Sequence, residues 1–158
     1  MKVTLSSGME ISVRIPAVWK AWGLAEKRYP EVKPPVVTSE TVTGETISMS
    51  IDDDPDYLAA VADRDKRVSD AASELILLLT LKDVDVPDGW NTDEYRDEFL
   101  YIDPDWKPRE GAVGRKLDYI EYDLLAAPKD FALIQAFTSD AVNVDQEEVD
   151  SVVKSFQR

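Results

Sequence analysis

The sequence predicts an α+β fold: an N-terminal β-hairpin or two packed with a long central helix, followed by a C-terminal group of short helices. Three observations predict it. Apolar and polar residues alternate through the first fifteen positions; Asp56 to Lys82 runs without Gly or Pro, with apolar residues three and four apart; and further helical stripes follow Gly111. At 158 residues the chain is long enough for one domain with a real core. A single domain over 1–158 is therefore expected, comprising a β-rich part to 51, a central helix over 52–82, an acidic, aromatic connecting segment over 83–110 and a helical part over 111–158.

The first element is a hairpin. Val3 and Leu5 alternate with Lys2 and Thr4, and after Ser6-Ser7-Gly8 the alternation resumes with Met9, Ile11, Val13 and Ile15 facing inward. A lone hairpin is marginal in water, so its apolar face should pack on a helix, and the helix that follows at Ala17–Arg28 is the candidate. Pro16 opens that helix and Tyr29-Pro30 ends it. Trp19, Trp22 and Leu24 are expected in the core, although two Trp three apart are also the spacing of a partner-binding face.

Pro30, Pro34 and Pro35 stiffen the next stretch and remove backbone donors, which reads as a linker. From Thr38 to Ile51 the chain is rich in Thr, Ser and β-branched residues, with Ile47, Met49 and Ile51 alternating against polar neighbours. A second strand pair turning at Thr43-Gly44 is expected.

The long helix has the strongest start signal in the chain, Asp52-Asp53-Asp54-Pro55. Asp54 suits the N-cap, Pro55 the first helical position where a missing N–H is harmless, and the neighbouring acids the positive end of the helix dipole. The spacing Asp52, Asp54, Asp56 also begins an EF-hand calcium loop, but Tyr57 stands where that loop needs Gly and Asp63 where it needs Glu, so capping is the reading adopted. Leu58, Val61, Val68, Ala71, Ala72, Leu75, Ile76 and Leu79 form one face, interrupted at Asp65. Toward its end the helix becomes apolar all round through Leu75-Ile76-Leu77-Leu78-Leu79, so those turns are either enclosed by the fold or cover another protein.

From Asp83 to Glu110 there are ten acids against Arg96, Lys107 and Arg109, half of the chain's net charge of −14. Trp90, Phe99, Tyr101 and Trp106 are interleaved with them, the pattern of a solvated acidic face or of an arm that docks on a basic partner. Asn91-Thr92-Asp93-Glu94 offers a capping box for a short helix reaching about Tyr101. Beyond Gly111, stripes at Val113/Leu117/Ile120/Leu124, Phe131/Ile134/Phe137 and Val149/Val152/Phe156 predict three short helices, the last capped by Asp145 with Glu148.

Composition removes several function classes. With no Cys and no His, nucleophilic Cys–His or Ser–His–Asp catalysis and ordinary zinc sites are excluded, and a reducing compartment fits. The surplus of acid repels phosphate backbones and anionic lipid, so no nucleic-acid or membrane partner is expected. No apolar run is long enough to span a bilayer, and Met1–Leu5 carries no basic segment leading into an apolar run, so no secretory signal is expected. Paired carboxylates are inevitable among 32 acids, and with no glycine-rich phosphate loop beside them no enzyme is expected and no cofactor or metal is implied.

Leu5-Ser6-Ser7-Gly8, Tyr29-Pro30-Glu31, Pro34-Pro35-Val36-Val37 and above all Asp53-Asp54-Pro55-Asp56-Tyr57-Leu58-Ala59-Ala60 leading into Leu75–Leu79 carry a resemblance. Together they resemble small tail-module proteins of long-tailed bacteriophages, the tail assembly chaperones and their relatives. The likeness covers the chain to about residue 90 and, more loosely, Val144 to Phe156. It implies a non-enzymatic viral protein of the host-cell cytoplasm that binds the tape-measure protein and helps tail-tube protein assemble around it. The alternative it leaves open is a tail or neck adaptor retained in the virion, held there as a homo-oligomer by repeated contacts. Leu75, Ile76, Leu77, Leu78 and Leu81, with Trp90 and Trp106, are the expected partner-binding residues.

Overall fold

The computed structural model describes residues 1–139 and has the α+β architecture expected. It comprises two antiparallel hairpins, β1 (Lys2–Thr4) with β2 (Glu10–Ser12) and β3 (Val36–Glu40) with β4 (Thr46–Ser50). The helices are α1 (Val18–Arg28), α2 (Pro55–Thr80), α3 (Arg96–Ile102), α4 (Gly111–Tyr119) and α5, helical over 128–139. A 3₁₀ turn at Asp93–Tyr95 precedes α3, and a π-helical turn at Ile120–Leu124 extends α4. The stripe at Val149, Val152 and Phe156 and the cap at Asp145 and Glu148 lie outside the described residues. The chain divides into two compact units, one formed by Met1–Ala17 and the chain from Ile76 onward, the other by Val18–Leu75.

In the first unit β1 and β2 pair in the register Lys2↔Ser12, Val3↔Ile11, Thr4↔Glu10. Leu5 donates its N–H to the Met9 carbonyl and Gly8 to the Leu5 carbonyl, a turn that needs the positive φ of Gly8 (85°). Leu5, Ile11 and Val13 are buried, but Met9 and Ile15 are exposed rather than inward. Met9 belongs to the turn. Ile15 lies past the strand, after Arg14 has given its backbone N–H to the Thr80 carbonyl at the end of α2. The apolar face of the hairpin packs within its own unit. Its buried residues share a core with Leu81, Trp90, Tyr119, Ile120, Leu124 and Ile134, contributed by the end of α2 and the C-terminal helices.

The second unit joins α1 to the middle of α2 through small residues. Ala21 and Ala25 of α1 are buried, and Ala25 clusters with Val68 and Ala72 of α2. This corrects the expectation for Trp19, Trp22 and Leu24, which are 71%, 39% and 57% exposed. At roughly 100° per residue, a helix whose buried line runs through Ala21 and Ala25 turns Trp22 and Leu24 to its flanks and Trp19 to its far side. Alanines let the two backbones approach, and a Trp on that line would hold them apart.

The start of α2 is capped as its sequence indicates. Asp54 Oδ1 accepts the Tyr57 N–H at 2.9 Å and the Asp54 carbonyl accepts from Leu58 at 3.0 Å. Arg64 ties the helix to the end of α1 by donating to the Tyr29 carbonyl, with Asp65 as its ion-pair partner. The second hairpin forms with its turn at Gly44 (φ 83°), and every residue of both strands is exposed.

Candidate functional site

The residues expected to bind a partner fall into three environments. Leu81 is fully buried and Trp90 is 9% exposed, both within the core of the first unit, so neither presents a docking surface. Leu77 and Leu78 are half-buried and pack against that core, and Leu75 and Ile76 are half-buried as well. Leu79 is 38% exposed and takes the outward side of the helix end. The all-round apolar character of these turns thus comes mainly from enclosure by the fold. Thr80 closes the helix, donating its hydroxyl to the Ile76 carbonyl at 2.8 Å. Below it, Lys116 Nζ caps the Lys82 carbonyl at 2.9 Å; burial lowers its pKa most, while Asp85 and Asp83 oppose that shift.

Trp90 anchors the start of the acidic segment. Its ring meets Tyr119 edge-on at 5.4 Å, its indole N–H donates to Asp123, and its carbonyl accepts the Arg115 guanidinium. Burial, and next to it the charge of Asp123, pushes the Tyr119 hydroxyl above the ordinary tyrosine range; the same two causes raise Tyr95. Both stay neutral at physiological pH.

The rest of the segment is held by aromatic contacts and one clamp. Asn91 Oδ1 accepts the Asp93 N–H at 2.8 Å, a local turn that starts the chain as 3₁₀ rather than α, and no Thr92 side-chain cap forms. On α3, Phe99 lies against Tyr95, Tyr122 and Trp106 at 5.9, 4.9 and 5.0 Å, stacked on the first and tilted to the other two, and Trp106 is half-buried in this aromatic cluster. The clamp is Arg109, whose backbone N–H and guanidinium both reach Asp118 (3.0 and 2.7 Å) and whose guanidinium also reaches Glu121. A recess of about 260 Å³ opens beside Trp90, Pro108 and Arg115. Its two guanidinium groups are engaged by Asp118, Glu121 and the Trp90 carbonyl, so the recess has the chemistry of a joint in the fold.

What the segment does present is the end of α3. Tyr101 and Ile102 are 89% and 81% exposed, Leu100 is 37% exposed, and Asp97, Glu98, Asp103 and Asp105 flank them in the chain, all exposed. In the sequence the two Trp of this segment stand out as the partner-binding candidates, and this pair does not. With Tyr95 and Phe99 four apart on one line of a helix, Tyr101 falls off it, whereas Ile102, three past Phe99, continues the line and is exposed at the last position of α3. Among the described residues no cluster of Asp and Glu could hold a metal ion, and no helix is long and apolar enough to cross a membrane.

Compared with known proteins, the chain matches no family model, no curated protein and no solved structure.

Proposed function

We propose that this protein is a non-enzymatic assembly chaperone for the tails of long-tailed bacteriophages, binding the tape-measure protein and aiding assembly of tail-tube protein around it. The reading rests on the resemblance of Asp53–Ala60 and its flanking motifs, and one structural observation supports it. Tyr101 and Ile102 form an exposed apolar tip within a run of acids, which suits a helical client with apolar anchors between basic residues. A negative surface also keeps such a complex soluble. Leu79 and the half-buried Leu75 and Ile76 are a second place for client contact, whereas Leu81 and Trp90 serve the fold.

Co-expression with the tape-measure and tail-tube proteins encoded beside it tests the proposal. Soluble complexes containing the tape-measure protein, together with absence from finished particles, are the expected result. Double substitution Tyr101→Asp and Ile102→Asp should abolish capture with the thermal transition unchanged. Recovery in particles at fixed stoichiometry would make the chain a tail or neck adaptor instead.

A further inference from the structure

Among the described residues the β3–β4 hairpin is a two-stranded sheet with no strand paired to the outer edge of β4. Thr41 N–H to Glu45 O and Ile51 N–H to Pro35 O bracket the ladder, at 2.8 and 2.9 Å. Antiparallel alternation then makes Val37↔Met49 and Ser39↔Ile47 the hydrogen-bonded pairs. Thr46, Ser48 and Ser50 therefore turn their backbone N–H and C=O groups away from β3, toward the free edge of β4. Directly paired residues share a face, so Val37, Ile47 and Met49 make one apolar stripe, and they are 54%, 47% and 67% exposed. A two-stranded amphipathic sheet with its apolar face in water is marginal.

The two edges differ. β3 is preceded by Lys33-Pro34-Pro35 and ends in Glu40, the residues that block strand addition, while Thr46-Ile47-Ser48-Met49-Ser50 has no charge and no proline. Acids stand at both ends of β4, Glu45 before it and Asp52 and Asp53 after it, all exposed. A second copy pairing through β4 would meet acid against acid at both ends: Glu45 against Asp52 and Asp53 if antiparallel, like against like if parallel.

We infer that the free edge of β4 accepts an extended segment of another protein, about five residues of alternating apolar and polar character with Lys or Arg at both ends. Backbone bonds to Thr46, Ser48 and Ser50 supply the pairing, the stripe at Val37, Ile47 and Met49 receives the alternate side chains, and the flanking acids choose the basic ends. This edge belongs to the second unit and Tyr101 and Ile102 to the first, and its test needs no phage partner.

Fluorescence anisotropy of the full chain with a labelled KKVTVTVKK peptide reads the binding directly. The peptide should bind, weaken with added salt, and bind about tenfold more weakly when its lysines are replaced by glutamates, the effect of two or three exposed ion pairs. N-methylation of its alternate backbone nitrogens should abolish binding without touching the protein. Ser48→Pro removes an outward donor at a position where an edge strand tolerates proline, and should weaken binding at least about tenfold. No binding, equal binding of the glutamate peptide, or indifference to N-methylation each overturns the inference. So does a concentration-dependent dimer that Ser48→Pro dissolves, which would assign the edge to a second copy.

Discussion

Ser6 donates twice to Asp130: its backbone N–H reaches Oδ1 at 2.8 Å and its hydroxyl reaches Oδ2 at 2.5 Å. The first turn of the chain is thereby fastened to the start of α5, and Asp130 is only 5% exposed. Asp130→Ala strands the Ser6 N–H and hydroxyl together and should cost about 2 kcal/mol. Ser6→Ala removes one donor and leaves the backbone bond, so about 1 kcal/mol is expected. Denaturant titrations of the two variants should differ in midpoint in that order; equal midpoints would show that the backbone bond contributes nothing.

Gly114 has its value in what it lacks. A Cβ there would lie 2.6 Å from Arg109 Cβ and 2.8 Å from the Arg109 carbonyl carbon, and Arg109 is fixed by its bonds to Asp118. Alanine would ordinarily favour a helix over glycine by about 1 kcal/mol. Here Gly114→Ala should instead destabilise by about 1–3 kcal/mol, since backbone must shift to admit the methyl group. The comparison that isolates the clash is Gly23→Ala on α1, where nothing lies within 4 Å and stabilisation is expected.

Much of the fold was legible because local signals there agree with packing. The Asp54-Pro55 start of α2, the turns at Gly8 and Gly44, and the inward Leu5, Ile11 and Val13 follow from capping, positive φ and strand alternation. Helix α1 was legible as a helix but its buried face was not. Side-chain size favoured Trp19 and Trp22, whereas close approach of two helices favoured Ala21 and Ala25, and a single helix's sequence does not carry its partner's shape. The burial of the Leu75–Leu81 run was illegible for a similar reason, since an apolar helix end looks the same whether its own chain or another covers it; Leu81 is enclosed, and Leu75 to Leu78 are half-buried. The exposure of Tyr101 was legible from its place off the Tyr95–Phe99 line, whereas Ile102 falls on that line and its exposure at the end of α3 was not.

Arg14 and Asp83 form an exposed bidentate pair that leads to a pH prediction. The hydrogen bond from Arg14 holds the Asp83 carboxyl below its ordinary value of 3.8, with the Arg14 charge adding to it and desolvation opposing it. A carboxyl with a lowered folded-state pKa stabilises above its unfolded value, and the contribution is lost as pH falls through the folded value. Stability from this pair should therefore be full at neutral pH and decline only below about pH 4. NMR titration of Asp83 should give a midpoint below 3.8, returning toward it in Arg14→Gln. A midpoint unmoved by that substitution would remove the pair as its cause.

The interior of the second unit depends on smallness more than on apolar mass. Ala72 has no exposed surface, and Ala25, which clusters with it, is 1% exposed. Ala72→Leu adds volume where α1 and α2 have none to give, and should destabilise by about 1–3 kcal/mol although leucine is both apolar and a good helix former. Trp19→Ser removes the larger and more hydrophobic side chain, yet at 71% exposure it should change stability by less than about 0.5 kcal/mol. Thermal unfolding of the two variants makes the comparison: a larger loss for Trp19→Ser than for Ala72→Leu would return the tryptophan to the core and contradict the helix rotation that sets Ala21 and Ala25 inward.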